Sequence, residues 1–246
     1  MARPDLLTHL RRRKTMMEIH IQGNENTDIL PSATRKTSLA LVMDACPISA
    51  LALRHILEGN LFKNGSVIIL DKAADVPPFL YSYSPDVVVM EISGKDESAL
   101  PGIQIIADCR QQWPRIPIVV CTAFRDIRLL QQIKNTGASG ICFRHDALKT
   151  IEHTVGLAMA GSGKKHRLTE RVLKSTGQKF PALTRKEIQV IHHLMEGNSV
   201  SEVAQLMQRD IRTVSTHKRN AMEKLGYRDD AEMFAKGQWM APQFHD

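Results

Sequence analysis

No stretch of this chain comes near the roughly 20 consecutive apolar residues that a membrane helix needs, so no membrane span is expected. Cysteine is scarce, with four in 246 residues: Cys46, Cys109, Cys121 and Cys142. They are scattered, and three stand in or beside apolar runs. That excludes a disulfide or zinc framework and predicts reduced core thiols in a cytoplasmic protein. Glycine is never arranged as a dinucleotide fingerprint. The nearest thing to a phosphate loop, Gly161-Ser162-Gly163-Lys164-Lys165, fails at two positions. Ala158 stands where the first glycine belongs, and Lys165 where Ser or Thr must follow the lysine. No nucleophile–base set and no metal cluster stands out, so neither an enzyme nor a bound cofactor or metal is expected. The basic stretch Arg11-Arg12-Arg13-Lys14 lacks an apolar segment behind it, so a secretory leader is not expected, and Met16 and Met17 are alternative starts.

What is present is an ordinary globular composition, 43% apolar and 24% charged, with a net charge of +7. The charge is unevenly spread. Residues 1–36 carry seven Lys/Arg against four Asp/Glu, and residues 37–160 carry eleven against twelve. Residues 161–180 carry six against one, and residues 181–246 carry nine against nine. The excess therefore sits in two segments that read as flexible: an N-terminal extension (1–36) without sustained periodicity, and a basic linker (161–180). The linker's charge either adds attraction for phosphates or only keeps the segment solvated.

Between them, residues 37–160 alternate short apolar runs with helical patterns. The runs are 39–43, 67–70, 87–90, 118–121 and 141–143. Helical spacing occupies 49–57, 103–112, 127–133 and 147–159. Continuous apolar strands alternating with helices predict a parallel sheet covered on both faces. Five such units in about 120 residues suit a flavodoxin-like doubly wound α/β domain.

Residues 181–246 read as four helices. Thr184-Arg185-Lys186-Glu187 and Ser199-Val200-Ser201-Glu202 are capping boxes, in which hydroxyl and carboxylate exchange hydrogen bonds with the first-turn amides. Gly197 and Gly226 are suited to C-terminal caps. Asp210 caps a third helix over about 211–225, and a fourth is expected over 229–240. On the third helix Val214, His217, Ala221 and Leu225 share the inner face. A packed His217 is therefore expected, not a catalytic one. Arg212, Ser215, Thr216, Arg219 and Glu223 share the outer face, with Lys218 and Lys224 flanking it. Short polar groups and cations on one face suit the major groove of double-stranded DNA, with Arg forking to guanine and Lys meeting phosphates.

The motifs Leu183-Thr184-x-x-Glu187, Gly197-Asn198-x-x-x-Glu202-Val203-Ala204 and Thr213-Val214-x-x-His217-Lys218-x-Asn220-x-x-x-Lys224-Leu225-Gly226 resemble the LuxR/NarL-type helix-turn-helix family. The resemblance covers about 60 residues. It implies transcription regulation, groove insertion of the third helix with Arg212, Thr213, Ser215, Thr216, Lys218, Arg219 and Lys224 at the DNA, and dimer contacts through the fourth helix. A doubly wound domain ahead of such a reader is similar to a response-regulator receiver. Receivers hold Mg²⁺ on strand-end carboxylates and accept phosphate on aspartate. Here Asp44 is followed by Ala45, Glu91 replaces the acceptor aspartate, Thr122 is in place, and Arg144 replaces the lysine. This degenerate pocket implies that Glu91 does not accept phosphate. Glu91 and Arg144 are either an ion pair that fixes one state or two independent strand-end charges.

The acceptor-site loss, the Thr37-Ser38-Leu39-Ala40-Leu41-Val42 start and the third-helix motif resemble the BglJ-type auxiliary regulators, which pair with RcsB-type response regulators. That resemblance implies a phosphorylation-independent activator acting as a heterodimer with an RcsB-type partner, at the nucleoid. The alternative is a homodimeric regulator controlled by expression level or a ligand.

Overall fold

The computed structural model describes residues 38–94, 96–161 and 179–241. The expected extension (1–36) and nearly all of the expected linker (161–180) lie outside the described residues.

Five apolar runs form the strands β1 (Leu39–Met43), β2 (Ser66–Leu70), β3 (Val87–Met90), β4 (Ile118–Thr122) and β5 (Gly140–Phe143). All four pairings are parallel, in the order β2-β1-β3-β4-β5. Val42, for example, stands opposite Ile69 on one side and Val89 on the other. Every residue of β3, β4 and β5 is buried, which is why these strands are apolar throughout instead of alternating.

The helices α1 (Pro47–Ile56) and α5 (Leu148–Met159) cover one face of the sheet, through Ala50, Leu53, Ile56, Ile151 and Val155. The helices α2 (Val76–Ser82), α3 (Ala99–Gln112) and α4 (Ile127–Asn135) cover the other, through Phe79, Ile103, Ile106, Leu129 and Ile133. The α2 helix departs from the sequence expectation, which assigned nothing to this span. It begins with Pro77 and Pro78, and proline is accepted only in the first turn, where the missing amide has no partner to lose.

The C-terminal helices are α6 (Arg185–Met195), α7 (Val200–Leu206), α8 (Ile211–Leu225) and α9 (Asp230–Lys236). Both expected capping boxes are formed, each contributing about 1 kcal/mol. Asp210 accepts from the Arg212 amide, and Gly226 closes α8 in the left-handed conformation at φ 69°. The fourth helix is shorter than the expected 229–240. It stops at Lys236, and a 3₁₀ turn follows over Gln238–Met240. The break falls at Gly237, where a Cβ would lie 2.4 Å from the Met233 carbonyl oxygen. Glycine, having no Cβ, accepts this close approach at the end of the helix.

The apolar core does not stop at the edge of the sheet. Ile103, Ile106 and Leu129 belong to the same contiguous cluster as Leu183, Ile188, Ile191, Trp239 and Met240 of the helical segment. The sheet domain and the helical domain thus share one interior on the α3–α4 side.

Candidate nucleic-acid interface and the strand-end cluster

The α8 helix is packed through Val214, Ala221 and Leu225, all with no exposed surface. At 100° per residue the opposite side carries Arg212, Thr213, Thr216, Arg219, Asn220 and Glu223, and all six are exposed. Ser215 is half-buried at the margin. Among the described residues, Arg212 and Arg219 have no carboxylate partner. Two exposed guanidinium groups about two turns apart, with threonine hydroxyls between them, form a polar strip. The Thr216 hydroxyl donates to the Arg212 carbonyl at 2.9 Å, so its hydrogen is used within the helix and its oxygen is left to accept. His217 is half-buried beside Met207 and Thr213, off the exposed strip.

The flanking lysines differ from the arginines. The Lys218 ammonium donates to the Asp230 carboxylate at the start of α9. The Lys224 ammonium donates to Glu187 Oε2 at 2.8 Å, and the Glu187 side chain is only 4% exposed. Burial pushes the Glu187 carboxyl up, but the Lys224 ammonium and the Thr184 amide and hydroxyl pull harder, leaving it below the ordinary carboxylate range. Lys224 thereby ties α8 to the capping box of α6. Sequence position beside the outer face did not announce this, because Glu187 is 37 residues away in the chain.

The second charged site lies at the C-terminal ends of the strands. Asp44 follows β1, Glu91 follows β3, Thr122 ends β4 and Arg144 follows β5, and the topology brings all four together. This is the edge at which doubly wound sheets place their sites, beside the reversal of strand order. The Arg144 Nη2 donates to Asp44 Oδ1 at 2.6 Å, and its Nε lies 3.1 Å from Glu91 Oε2. Of the two readings left open above, the structure has the ion pair. Asp44 also accepts from the Cys46 amide and the Ser49 hydroxyl, at 2.9 and 2.6 Å. Glu91 accepts from the amides of Ile92 and Ala123, at 2.7 and 3.0 Å. Both carboxylates are 2% exposed. Burial raises the Glu91 carboxyl above its ordinary range, against the pull of Arg144, the Thr122 hydroxyl and the two amides.

A divalent cation of the kind receivers hold does not fit this donor set. Both carboxylates are engaged by one guanidinium, and Ala45 offers no side-chain oxygen.

Residues 181–235 match the profile of "Bacterial regulatory proteins, luxR family". That match lies within the helical domain. The luxR-family match covers the capping boxes, α6, α7, α8 and most of α9. Over a longer span the chain is similar to the DNA-binding transcriptional activator EvgA of Escherichia coli K12, 25% identical over 191 residues. That alignment covers 76% of this chain and 90% of EvgA. It is likewise similar to the transcriptional regulatory protein RcsB of the same organism, 28% identical over 196 residues. There the shares are 77% of this chain and 89% of RcsB. Among solved structures, RcsB from Salmonella enterica serovar Typhimurium bound to the promoter rprA shares the fold at a TM-score of 0.62 and 21% identity. That likeness covers 81% of this chain and 98% of RcsB. The sheet domain followed by luxR-family helices is thus a receiver-like fold joined to a helix-turn-helix domain. Among the described residues, no helix is long and apolar enough to cross a membrane.

Sequence reasoning missed one set of residues. Arg128, Gln132 and Asn135 form a polar stripe along α4, and all three bond the helical domain. Their i, i+4, i+7 spacing was visible, but the same spacing describes the solvated side of any amphipathic helix.

Proposed function

We propose that this chain is a sequence-specific, double-stranded-DNA-binding transcription regulator, an activator that works without phosphorylation and as a heterodimer with an RcsB-type response regulator. The observation that carries the DNA-binding reading is the exposed strip Arg212, Thr213, Thr216 and Arg219 on the outer side of a rigidly capped α8. An α-helix fills the major groove, and its first turns reach base edges best. Arg212 and Arg219 fork to bases or phosphates, Thr213 and Ser215 supply short donors, Thr216 offers an acceptor, and Lys218 meets a phosphate after exchanging Asp230 for it. Lys224 contributes positive potential near the helix end while holding Glu187. Such a protein works in the cytoplasm, at the nucleoid.

The strand-end cluster supports phosphorylation independence. Glu91 has one methylene more than the aspartate that receivers phosphorylate, and its carboxylate is already held by two amides and Arg144. Purified protein incubated with radiolabelled acetyl phosphate and Mg²⁺ is expected to take up no label. A label that disappears in Glu91→Ala would show the opposite.

Dimer formation is supported by exposed apolar side chains on the two helices that cover one sheet face. Ile48 is 81% exposed, Leu51 58% and Leu148 60%. They stand in the first two turns of α1 and at the start of α5. A monomeric regulator leaves such a patch wet only at a cost in solubility. Co-expression with an RcsB-type regulator, pull-down, and footprinting of each protein alone and together test the reading. Protection of DNA only by the pair is expected. Protection by this chain alone would replace the heterodimer with a homodimer.

A further inference from the structure

The helical domain does not hang from the sheet domain as a separate body. Three polar side chains of α4, at i, i+4 and i+7, reach into it. The Arg128 Nε donates to the carbonyl of Leu225, the last residue of α8, at 2.7 Å. Gln132 donates to the Pro181 carbonyl at 2.8 Å and accepts from the Leu183 amide at 2.9 Å. Asn135 donates to the Phe180 carbonyl at 3.0 Å. Gln132 is 1% exposed, so both halves of its amide are satisfied inside this contact.

Arg128 is the centre of the arrangement. Its guanidinium lies over the Tyr227 ring at 4.6 Å and the Phe180 ring at 5.6 Å, and both rings are buried. It also meets a carbonyl that an α-helix leaves without an internal partner, at the negative end of the helix dipole. Three attractions of different origin (a charged hydrogen bond, two cation–ring contacts and the dipole) therefore converge on the C-terminus of α8. Gly226 lets the chain turn there: a Cβ in its place would press to 3.2 Å from the Phe180 ring.

The docked contact leaves the proposed DNA strip open. Arg212 stands thirteen residues before Leu225, a distance of about 20 Å along the helix. Phe234 on α9 is 47% exposed as well. Docking that grips one end of the reading helix and leaves its other end bare is suited to aiming that helix, not to covering it.

We infer that Arg128 is a positioning residue for DNA binding: it clamps the C-terminus of α8 onto the receiver-like domain, so that both domains present the recognition helix as one rigid body. This rests on the DNA-binding reading above. The contact also has a link to the strand-end cluster. Glu91 accepts from the Ala123 amide, in the loop that leads to Asp126, the residue that caps α4. The buried ion cluster thereby holds the base of the helix that carries the clamp.

The test uses the full chain and the variants Arg128→Ala and Arg128→Lys. Amide ¹⁵N relaxation reads the tumbling of the two domains, and binding is measured on a duplex recovered from a randomised pool by the wild-type chain. One shared rotational correlation time is expected for the wild type, and for Arg128→Ala partial decoupling, with a shorter effective correlation time for the helical domain than for the sheet domain. Duplex affinity is expected to fall roughly three- to tenfold, because the aimed arrangement becomes a fraction of the ensemble. Arg128→Lys keeps the charge and one donor but not the flat contact with two rings, so it should fall between. If Arg128→Ala is unfolded by its amide spectrum, Asn135→Ala replaces it in both measurements with the same direction expected. Independent tumbling in the wild type overturns the inference, as does unchanged tumbling and affinity in the variants. Tighter DNA binding in Arg128→Ala overturns it too, because the contact would then be inhibitory. A wild-type chain that recovers no duplex overturns the DNA-binding reading instead, while the tumbling data still decide the docking.

Discussion

At the strand ends of the sheet, Asp44, Glu91 and Arg144 are buried or nearly so, and each is held by at least two partners. Along the outer side of α8, Arg212 and Arg219 are exposed and have no carboxylate partner among the described residues. Both sites are charged, yet they are built for opposite ends. A buried ion cluster is costly to disturb, because a charge left without its partner inside the protein is strongly destabilising. An exposed cation costs the fold almost nothing and keeps its field available to a phosphate or a base edge. The first site can hold a shape, and the second can recognise a partner. Lys218 and Lys224 lie between the two classes, since each already has a carboxylate.

Substitutions can break or sharpen this contrast. The largest effect is expected at Arg144. Arg144→Met leaves Asp44 and Glu91 buried without their cation, and urea unfolding should show a loss of about 3–5 kcal/mol. A loss below about 1 kcal/mol would mean that the cluster is not the rigid element described here. On the outer side of α8 the order reverses, with binding affected and stability spared. Arg219→Ala should cost about 1–3 kcal/mol of discrimination among duplexes, with unfolding free energy changed by no more than about 0.5 kcal/mol. Lys218→Ala should weaken all duplexes alike and reduce the slope of log affinity against log salt by about one. An unaltered slope would show that Lys218 stays with Asp230 on DNA.

The smallest effect concerns the Glu187–Lys224 tie. Glu187 titrates below the ordinary carboxylate range in the folded protein. Its contribution to stability is therefore fully present above that ordinary range and is lost as the pH falls through the lowered value. Glu187→Gln should flatten the acid side of the stability–pH curve. A curve unchanged in shape would mean that Lys224 is available to DNA and not engaged in the fold.

Much of the architecture was legible because it is local. The strands β1, β3, β4 and β5 announce themselves as short apolar runs, since burial on both faces leaves little room for polar alternation, and the half-buried edge strand β2 is an apolar run as well. Thr184 with Glu187 and Ser199 with Glu202 lie three residues apart, and so does the chemistry that caps their helices. The α2 helix was illegible because Pro77 and Pro78 read as a break until their place in the first turn is known. The end of α9 was legible in principle, since Gly237 is a helix stop of the same residue type as Gly197 and Gly226, but the apolar spacing of Trp239 and Met240 carried the expected helix past it. At the strand ends the residue types could be named in advance, but whether Glu91 and Arg144 met could not.

By itself, then, the sequence determined the two-domain order, the parallel sheet, the capped third helix of the helical domain and the side of α8 that faces outward. These follow from periodicity and from partners within a few residues. Only the tertiary structure decided that Arg144 joins Asp44 to Glu91, that Lys224 belongs to Glu187, and that Arg128, Gln132 and Asn135 are an interface instead of a wet surface. The physical reason is the same in each case. A charged or amide side chain carries the same pattern whether it meets water or a partner 50 or 100 residues away, and only packing selects between the two.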